Sequence, residues 1–289
     1  MNKRVIFSLE GRAGDFIYHW FLLMISGLRH IGKDSGRFGP DGLGAWEQNE
    51  DQYDPSTINP PYNITFGPVH DKTFGEGLYG LKFHNETLDI IKDKYKLVET
   101  PSADDIVINN FGEQQHFDGR SNNFDPENYK FLYDLFNERM KYNDDHKDKK
   151  YFISRNNSHN LSSNAGLKRR QLLNEDELYS KLKEHGIEKI YLEDYSLKEK
   201  INIFHKSSLI ISPNSGGLLF SLFCKHGKIV ELNVPNPTQL CDQYSDICNI
   251  MKVPYHRFHT HKADPATGID NMIIDIDEFI EFLKTNDLI

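Results

Sequence analysis

The second half of the chain alternates between short apolar runs and segments with the spacing of amphipathic helices. The apolar runs lie at 151–154, 188–192, 208–212 and 228–233. The helical patterns lie near 175–185, 197–206 and 216–224. Regular strand-helix-strand order predicts parallel strands, because each helix returns the chain to the same edge of the sheet. This half therefore predicts a doubly wound α/β domain, with ligands bound beyond the carboxyl ends of its strands.

The first half carries a second, less regular α/β pattern. Strands are expected at 5–9 and 106–109, and helices at 16–29 and 126–142. Residues 32–62 are crowded with Gly, Pro, Asp and Asn, which predicts a long functional loop. The polar stretch 143–150 is the expected linker. We therefore predict domains at 1–145 and 146–270, with a last helix in 271–289 that packs back on the first domain.

Charge and composition exclude several classes of protein. A formal net charge of −9 with no long basic run argues against a nucleic-acid partner. The longest apolar stretch, 16–28, is too short and too polar to span a membrane. Three cysteines without a CxxC motif predict reduced thiols. We therefore expect a soluble protein of the cytoplasm.

The turn after the strand at 208–212 is the first candidate binding segment. It reads Ser212-Pro-Asn-Ser-Gly-Gly-Leu218 and leads into a helix. Small residues let a ligand approach the backbone, and N–H groups at a helix start attract a diphosphate. The candidate residues are Ser212, Asn214, Ser215, Gly216, Gly217 and Leu218. An ordinary strand-to-helix turn capped by Ser or Asn is the competing interpretation.

Cationic side chains form the second candidate segment. Arg155, followed by Asn156, leaves the end of the strand at 151–154, and Arg169 and Arg170 precede the helix at 175. A guanidinium can bind two phosphate oxygens at once and stays charged. Solvated surface charges are the alternative for each residue. Convergence of these segments at one edge of one sheet favours an anion site.

A possible base lies in the turn after the first strand. Asp15 stands at a helix start, and His19 follows one turn later on the same face. A helix N-terminus keeps a carboxylate ionised, which suits a group that accepts a proton during attack by a hydroxyl. An N-cap for Asp15 and a packed core position for His19 are the competing interpretations.

At these residues the chain resembles glycosyltransferase family 61. The matching segments, in chain order, are Ile-Ser-Arg155, Arg169 or Arg170, Leu173-Asn-Glu175, Tyr191-Leu-Glu193, Ser196-Leu197, the turn at 212–219 and Ile229-Val-Glu231-Leu232. The pair His19-Trp20 is similar to the amino-terminal His and aromatic of the family. Gly14-Asp15 also resembles the turn that carries the catalytic Asp of heptosyltransferases. The family usually has Gly-Pro-His-Gly-Ala at the turn, and 156–167 looks like an insertion.

The resemblance implies a GT-B architecture, in which two Rossmann-like domains face a central cleft. It also implies inversion at the anomeric carbon and no cofactor or metal. By position, Arg155, Asn156 and the turn at 212–218 would bind the diphosphate of a nucleotide-sugar donor, with Arg169 or Arg170 assisting. Glu193 would lie near the base of the donor and Glu231 at its ribose.

The resemblance also suggests the substrates. Asp15, or failing it His19, would deprotonate a hydroxyl of a glycan or glycoprotein acceptor. Arg12 and the aromatic residues Trp46 and Tyr53 are the candidate acceptor-binding residues. Relatives use UDP-sugars, and UDP-xylose is our first choice. The compact chain is also similar to small glycosyltransferases of large DNA viruses, which include a xylosyltransferase acting on capsid glycans.

Other interpretations remain open. Asp275-Ile-Asp277 has the spacing with which metal-dependent GT-A transferases hold a cation, although acids before a last helix also cap it. His256, His259 and His261 could bind a metal, although a loop of solvated histidines is the simpler interpretation. A catalytically inactive module that binds nucleotides or carbohydrates is a further alternative. A GxGxxG motif after a strand, which a nicotinamide dehydrogenase would need, is missing.

Overall fold

We describe a computed structural model of the chain. It describes residues 5–7, 63–64, 96–97, 106–108, 126–142, 145, 147–156, 171–234, 243–263 and 271–289. The chain divides into two compact units, Met1–Arg139 and Met140–Ile289. The boundary expected between 145 and 146 falls a few residues later than this division.

The first unit contains two pairs of parallel strands and a helix among its described residues. Strand β1 (Val5–Phe7) pairs with β4 (Ile106–Ile108), and β2 (Asn63–Ile64) pairs with β3 (Lys96–Leu97). Helix α1 (Pro126–Asn137) follows. The strands expected at 5–9 and 106–109 are confirmed over the residues described there, 5–7 and 106–108. The helix expected at 16–29 and the loop at 32–62 lie outside the described residues.

The second unit is built on a five-stranded parallel sheet. The strands are β5 (Lys150–Ile153), β6 (Ile187–Ile190), β7 (Leu209–Pro213), β8 (Lys228–Asn233) and β9 (Tyr255–His259), in the spatial order β6-β5-β7-β8-β9. The first four strands were predicted from their apolar runs. Strand β9 was not, because its polar residues His256, Arg257 and His259 resemble a loop. A mixed α/β fold with a parallel sheet is therefore confirmed for this unit.

Helices connect these strands. The α-helices are α2 (Glu175–Glu184), α3 (Leu197–Lys206), α4 (Gln243–Met251) and α5 (Ile276–Thr285). Two 3₁₀ helices, Leu192–Asp194 and Gly216–Phe223, follow β6 and β7. The second of these was expected to be an ordinary helix. A short antiparallel pair, β10 (His261–Lys262) with β11 (Met272–Ile273), precedes α5.

One face of the sheet is covered by α2 and α5. Alternate residues of the central strands, such as Ile211 and Val230, share a core with Leu178 of α2 and with Phe279 and Leu283 of α5. The last helix, α5, thus contributes to the core of the second unit, and its packing on the first domain stays a prediction. It buries its apolar face within the second unit, because its Phe and Leu residues recur at helical spacing.

The 3₁₀ helix Gly216–Phe223 packs against both α3 and α4. Helix α3 begins at a reciprocal capping box between Ser196 and Glu199. No helix within the described ranges is long and apolar enough to cross a membrane. Cys224 and Cys248 are buried free thiols, and burial raises their pKa values to about 11 and about 12.

Candidate functional site

The strand order creates a crevice between β5 and β7. From β5 the chain moves outward to β6, then returns past β5 to β7, β8 and β9. The connections after β5 and β7 therefore run to opposite sides, and open α/β sheets bind ligands at such a switch point. The β5 turn (Ser154, Arg155 and Asn156) and the β7 turn (residues 214–218) leave the sheet at this place.

A side chain links the two turns across the crevice. Nη1 of Arg155 lies 3.4 Å from the backbone oxygen of Asn214, to which it donates a hydrogen bond. Arg155 and Asn156 are both partly exposed. The structure thus brings together two segments that the sequence analysis selected separately. A guanidinium at this position can meet an anion that enters the crevice from the solvent.

Buried side chains hold the β7 turn in shape. Ser212 is 0% exposed and donates to the backbone oxygen of Pro213 at 2.8 Å, and its hydroxyl oxygen lies 3.5 Å from that of Ser215. The side chain of Leu218 is also fully buried. These three candidate donor-binding residues therefore support the turn from inside the protein.

Gly216 and Gly217 are the partly exposed residues of the β7 turn. Their N–H groups precede the first bond of the 3₁₀ helix, in which Leu218 N–H donates to Ser215 at 2.9 Å. Such leading N–H groups have no acceptor within the helix and can serve an anion. A Cβ on Gly217 would lie 2.7 Å from Cδ1 of Leu192. Glycine there also lets the β7 turn pack against the segment after β6.

A fully buried carboxylate stands behind the β7 turn. Glu231 of β8 accepts a hydrogen bond from the side-chain amide of Asn214 at one oxygen. At the other oxygen it accepts from the hydroxyl of Tyr255 and, at 3.0 Å, from Nε of Arg257. Burial, followed by the charge of Glu231, raises the pKa of Tyr255 well above its usual range. Tyr255 therefore stays protonated and donates.

A second buried carboxylate stands behind the β5 turn. Glu175 is 3% exposed and accepts a 2.7 Å hydrogen bond from the hydroxyl of Ser154, which in turn accepts from Asn156 N–H at 3.1 Å. Nζ of Lys189 lies 3.5 Å from the same oxygen of Glu175. Burial raises the pKa of Glu175, although Ser154 and Lys189 oppose that shift.

Three buried oxygens near these strand ends have no hydrogen-bond partner among the described residues. They are Oδ1 of Asn156, Oε2 of Glu175 and Oε1 of Glu193. Glu193 belongs to the 3₁₀ helix Leu192–Asp194, whose Leu192 is the residue that a Cβ added to Gly217 would meet. Buried acceptors are usually paired, so these atoms mark places where a donor group can be received.

Several predicted residues fall outside the described residues. They are Arg12, Asp15, His19, Trp46, Tyr53, Arg169 and Arg170. Their roles stay predictions.

The residues predicted as possible metal ligands have structural positions in the fold. The carboxylate of Asp275 caps α5 by accepting from Glu278 N–H at 2.9 Å, as the capping interpretation predicted. His256 and His259 lie on β9 and His261 on β10, which corrects the expected loop. Within the described part of the chain, no group of three or more His, Cys, Asp or Glu residues could hold a metal ion.

Comparison with known families decides the affiliation. Residues 18–230 match the family model described as Glycosyltransferase 61, which is most of the chain. The chain belongs to glycosyltransferase family 61. It is therefore a glycosyltransferase, with a sugar donor and a glycan acceptor as its substrates. The search of curated proteins gives no match.

The match to family 61 ends just before three members of the network around Glu231. Glu231, Tyr255 and Arg257 all follow residue 230. Glu231 was predicted from the sequence and Tyr255 and Arg257 were not, whereas Glu175 was named within a segment that resembles family 61. The available signal was the pair of aromatic residues Tyr255 and Phe258, because aromatic residues are enriched in strands.

Proposed function

We propose that this glycosyltransferase transfers xylose from UDP-xylose to a glycan hydroxyl, with inversion and without a metal, in a GT-B architecture. The supporting observation is the contact of Arg155 with Asn214 across the crevice between β5 and β7. It places a guanidinium beside the β7 turn, where the leading N–H groups of the partly exposed Gly216 and Gly217 suit a diphosphate.

The proposed reaction is a direct displacement at the anomeric carbon. The acceptor oxygen forms a bond to this carbon from the face opposite UDP, and the bond to the diphosphate oxygen breaks. The proton of the acceptor hydroxyl passes to Asp15 or, failing it, to His19. The electron pair of the broken bond stays on the diphosphate, where Arg155 and the amides of Gly216 and Gly217 stabilise the charge.

These groups supply the positive charge that a metal ion provides in GT-A transferases. We therefore expect activity to survive a chelator. Asp275, the first acid of the alternative metal motif, already accepts a hydrogen bond as the N-cap of α5.

The donor is tested with a panel of nucleotide sugars in excess EDTA. Thermal stabilisation of the full chain and slow release of free nucleotide are followed together. Stabilisation and release with UDP-xylose in EDTA would support the proposal, and a different productive sugar would replace the donor. An absolute requirement for a divalent cation would favour the alternative with Asp275 and Asp277. Binding without turnover, even with acceptors, would favour the inactive module.

The catalytic assignment is tested with substitutions. Arg155→Ala should lower kcat/KM by about 100-fold, the loss typical for one stabilising donor. Arg155→Lys keeps the charge without the planar donors and should recover part of this loss. Arg139→Ala is the matched control, because Arg139 follows α1 and pairs with the neighbouring Glu138. Equal activity of Arg155→Ala and the control would overturn the role of Arg155.

The base is tested separately. Asp15→Asn should lower kcat by at least about 100-fold if Asp15 accepts the proton. Full activity in this variant, together with a large loss in His19→Ala, would move the assignment to His19.

A further inference from the structure

We propose that Tyr255 and Arg257 of β9 are positioning residues for the nucleotide-sugar donor. They act through Glu231, which holds the β7 turn in the shape that receives the diphosphate. This inference rests on the proposed function. It extends the site to an edge strand that follows the last residue matched to the family.

The sheet register places the network on one face. Ser212 of β7 pairs with Glu231 of β8, and Glu231 pairs with Arg257 of β9. Tyr255 lies two residues before Arg257 and therefore points to the same side. The polar side chains thus form a row across three neighbouring strands, starting beneath the β7 turn and ending at the sheet edge.

Glu231 is held by the protein itself. Both of its carboxylate oxygens are occupied by donors from Asn214, Tyr255 and Arg257, and the residue is 0% exposed. In this arrangement it has no surface to offer the ribose of a donor, which was its expected contact. Positioning of Asn214 is the role that these contacts support.

The position of Asn214 is transmitted to the crevice. Its backbone N–H donates to the carbonyl of Leu232 at 2.9 Å, and its side chain is held by Glu231. The backbone oxygen of the same residue accepts the hydrogen bond from Arg155. A shift of the Glu231 carboxylate would therefore change the orientation of the Asn214 peptide and of the guanidinium that contacts it.

The composition of the network favours this role over simple stabilisation. In the ion pair of the partly exposed Arg257 with the fully buried Glu231, the carboxylate loses hydration that the attraction only partly recovers, and apolar residues are often equally stabilising. Charged groups with directed hydrogen bonds do, however, fix the geometry of the groups that they contact. A fixed turn binds a diphosphate without first having to be ordered.

The test measures UDP binding by calorimetry and donor KM with the full chain. Tyr255→Phe removes one donor to Glu231 and keeps the ring. We expect about 10-fold weaker UDP binding and a similar rise in donor KM, with a smaller change in kcat, since the lost interaction serves ground state and transition state alike. Arg257→Met should show at least the same loss, and Arg257→Lys should recover part of it.

Ile229→Val is the matched control. Ile229 is fully buried and pairs in register with Tyr255, so the variant loosens the same strands without touching the polar network. Weaker UDP binding in Tyr255→Phe than in a control of equal thermal stability would support the inference. The same comparison with Arg257→Lys decides the question if Tyr255→Phe does not fold.

Two outcomes would overturn the inference, and they have different meanings. If the native chain binds UDP and all three variants bind it equally well, positioning by Tyr255 and Arg257 is wrong while the proposed function stands. If the native chain binds neither UDP nor any other nucleoside diphosphate, the proposed diphosphate site is wrong and the inference fails with it.

Discussion

The two turns that meet at the crevice are each supported by a buried glutamate, but the two carboxylates have different surroundings. Glu231, behind the β7 turn, has both oxygens occupied and pairs with Arg257. Glu175, behind the β5 turn, has one oxygen bound by Ser154 and another without a partner among the described residues. Although both carboxylates are buried, Glu231 therefore receives more hydrogen bonds than Glu175 does.

The difference follows from the donors that each neighbouring element supplies. Strand β9 adds two donors directly beside Glu231, whereas Glu175 starts α2 and receives Ser154 at close range and the longer contact from Lys189. Burial consequently raises the pKa of Glu175. We infer that the β7 turn is the rigid side of the crevice and that the β5 turn tolerates change.

The largest expected effect comes from removing each carboxylate. Glu231→Ala removes the acceptor of Asn214 and Tyr255 and the ion-pair partner of the partly exposed Arg257, and should cost about 2–4 kcal/mol of unfolding free energy. Glu175→Ala should cost about 1–2 kcal/mol, because mainly the hydrogen bond from Ser154 is lost. Urea unfolding of both variants at pH 7 measures the difference. Equal losses would contradict the comparison between the two turns.

Below neutral pH, the pH dependence of stability should come mainly from the buried His205, so its effect must be measured apart from that of Glu175. Burial, with smaller contributions from Lys206, Lys225 and His226, lowers the pKa of His205 from 6.5 to about 4. Between pH 4 and pH 6.5 the unfolded chain binds more protons than the folded chain. Stability should therefore fall as the pH drops from 6.5 to 4, by at most about 3 kcal/mol.

The check uses His205→Phe, which keeps a ring beside Tyr142. Urea unfolding from pH 4 to 7 should show a flatter profile in this variant than in the native chain. Parallel profiles would mean that His205 does not contribute.

Gly217→Ala tests how closely the β7 turn packs against the segment after β6. The added Cβ would meet Cδ1 of Leu192, the end of a side chain that can turn aside, and should cost about 1 kcal/mol. Leu192→Ala should remove the clash, so the double variant should lose less than the sum of the single losses in a double-mutant cycle. Additive losses of unfolding free energy would show that residue 217 and Leu192 are not energetically coupled.

The smallest effect is expected for Glu175→Gln, measured in the His205→Phe background. The pKa of Glu175 is raised in the folded chain, so between the ordinary carboxyl pKa and this raised value the folded chain binds more protons than the unfolded chain. Stability should therefore fall as the pH rises through this interval. The amide should remove this slope and change stability at pH 7 by about 1 kcal/mol or less. A slope that persists would assign it to another group.

The regular part of the fold was predictable from local patterns. Helix α3 has the predicted bounds 197–206, and strands β5 to β8 lie within two residues of their apolar runs. Buried parallel strands and capped helices carry these signals in their own residues. Strand β9 was missed because an edge strand with polar residues on one face lacks an apolar run.

The sequence by itself determined the parallel sheet of the second unit and the choice of Arg155, Asn214, Gly216 and Gly217 as candidates at strand ends. It could do so because periodicity and turn composition are local properties. Only the tertiary structure decided that Arg155 contacts Asn214 and that the last helix packs on one face of the sheet in the second unit. It also decided that β9 places Tyr255 and Arg257 beside Glu231. These contacts join residues far apart in the chain, and strand order, which sets them, is not written in any local segment.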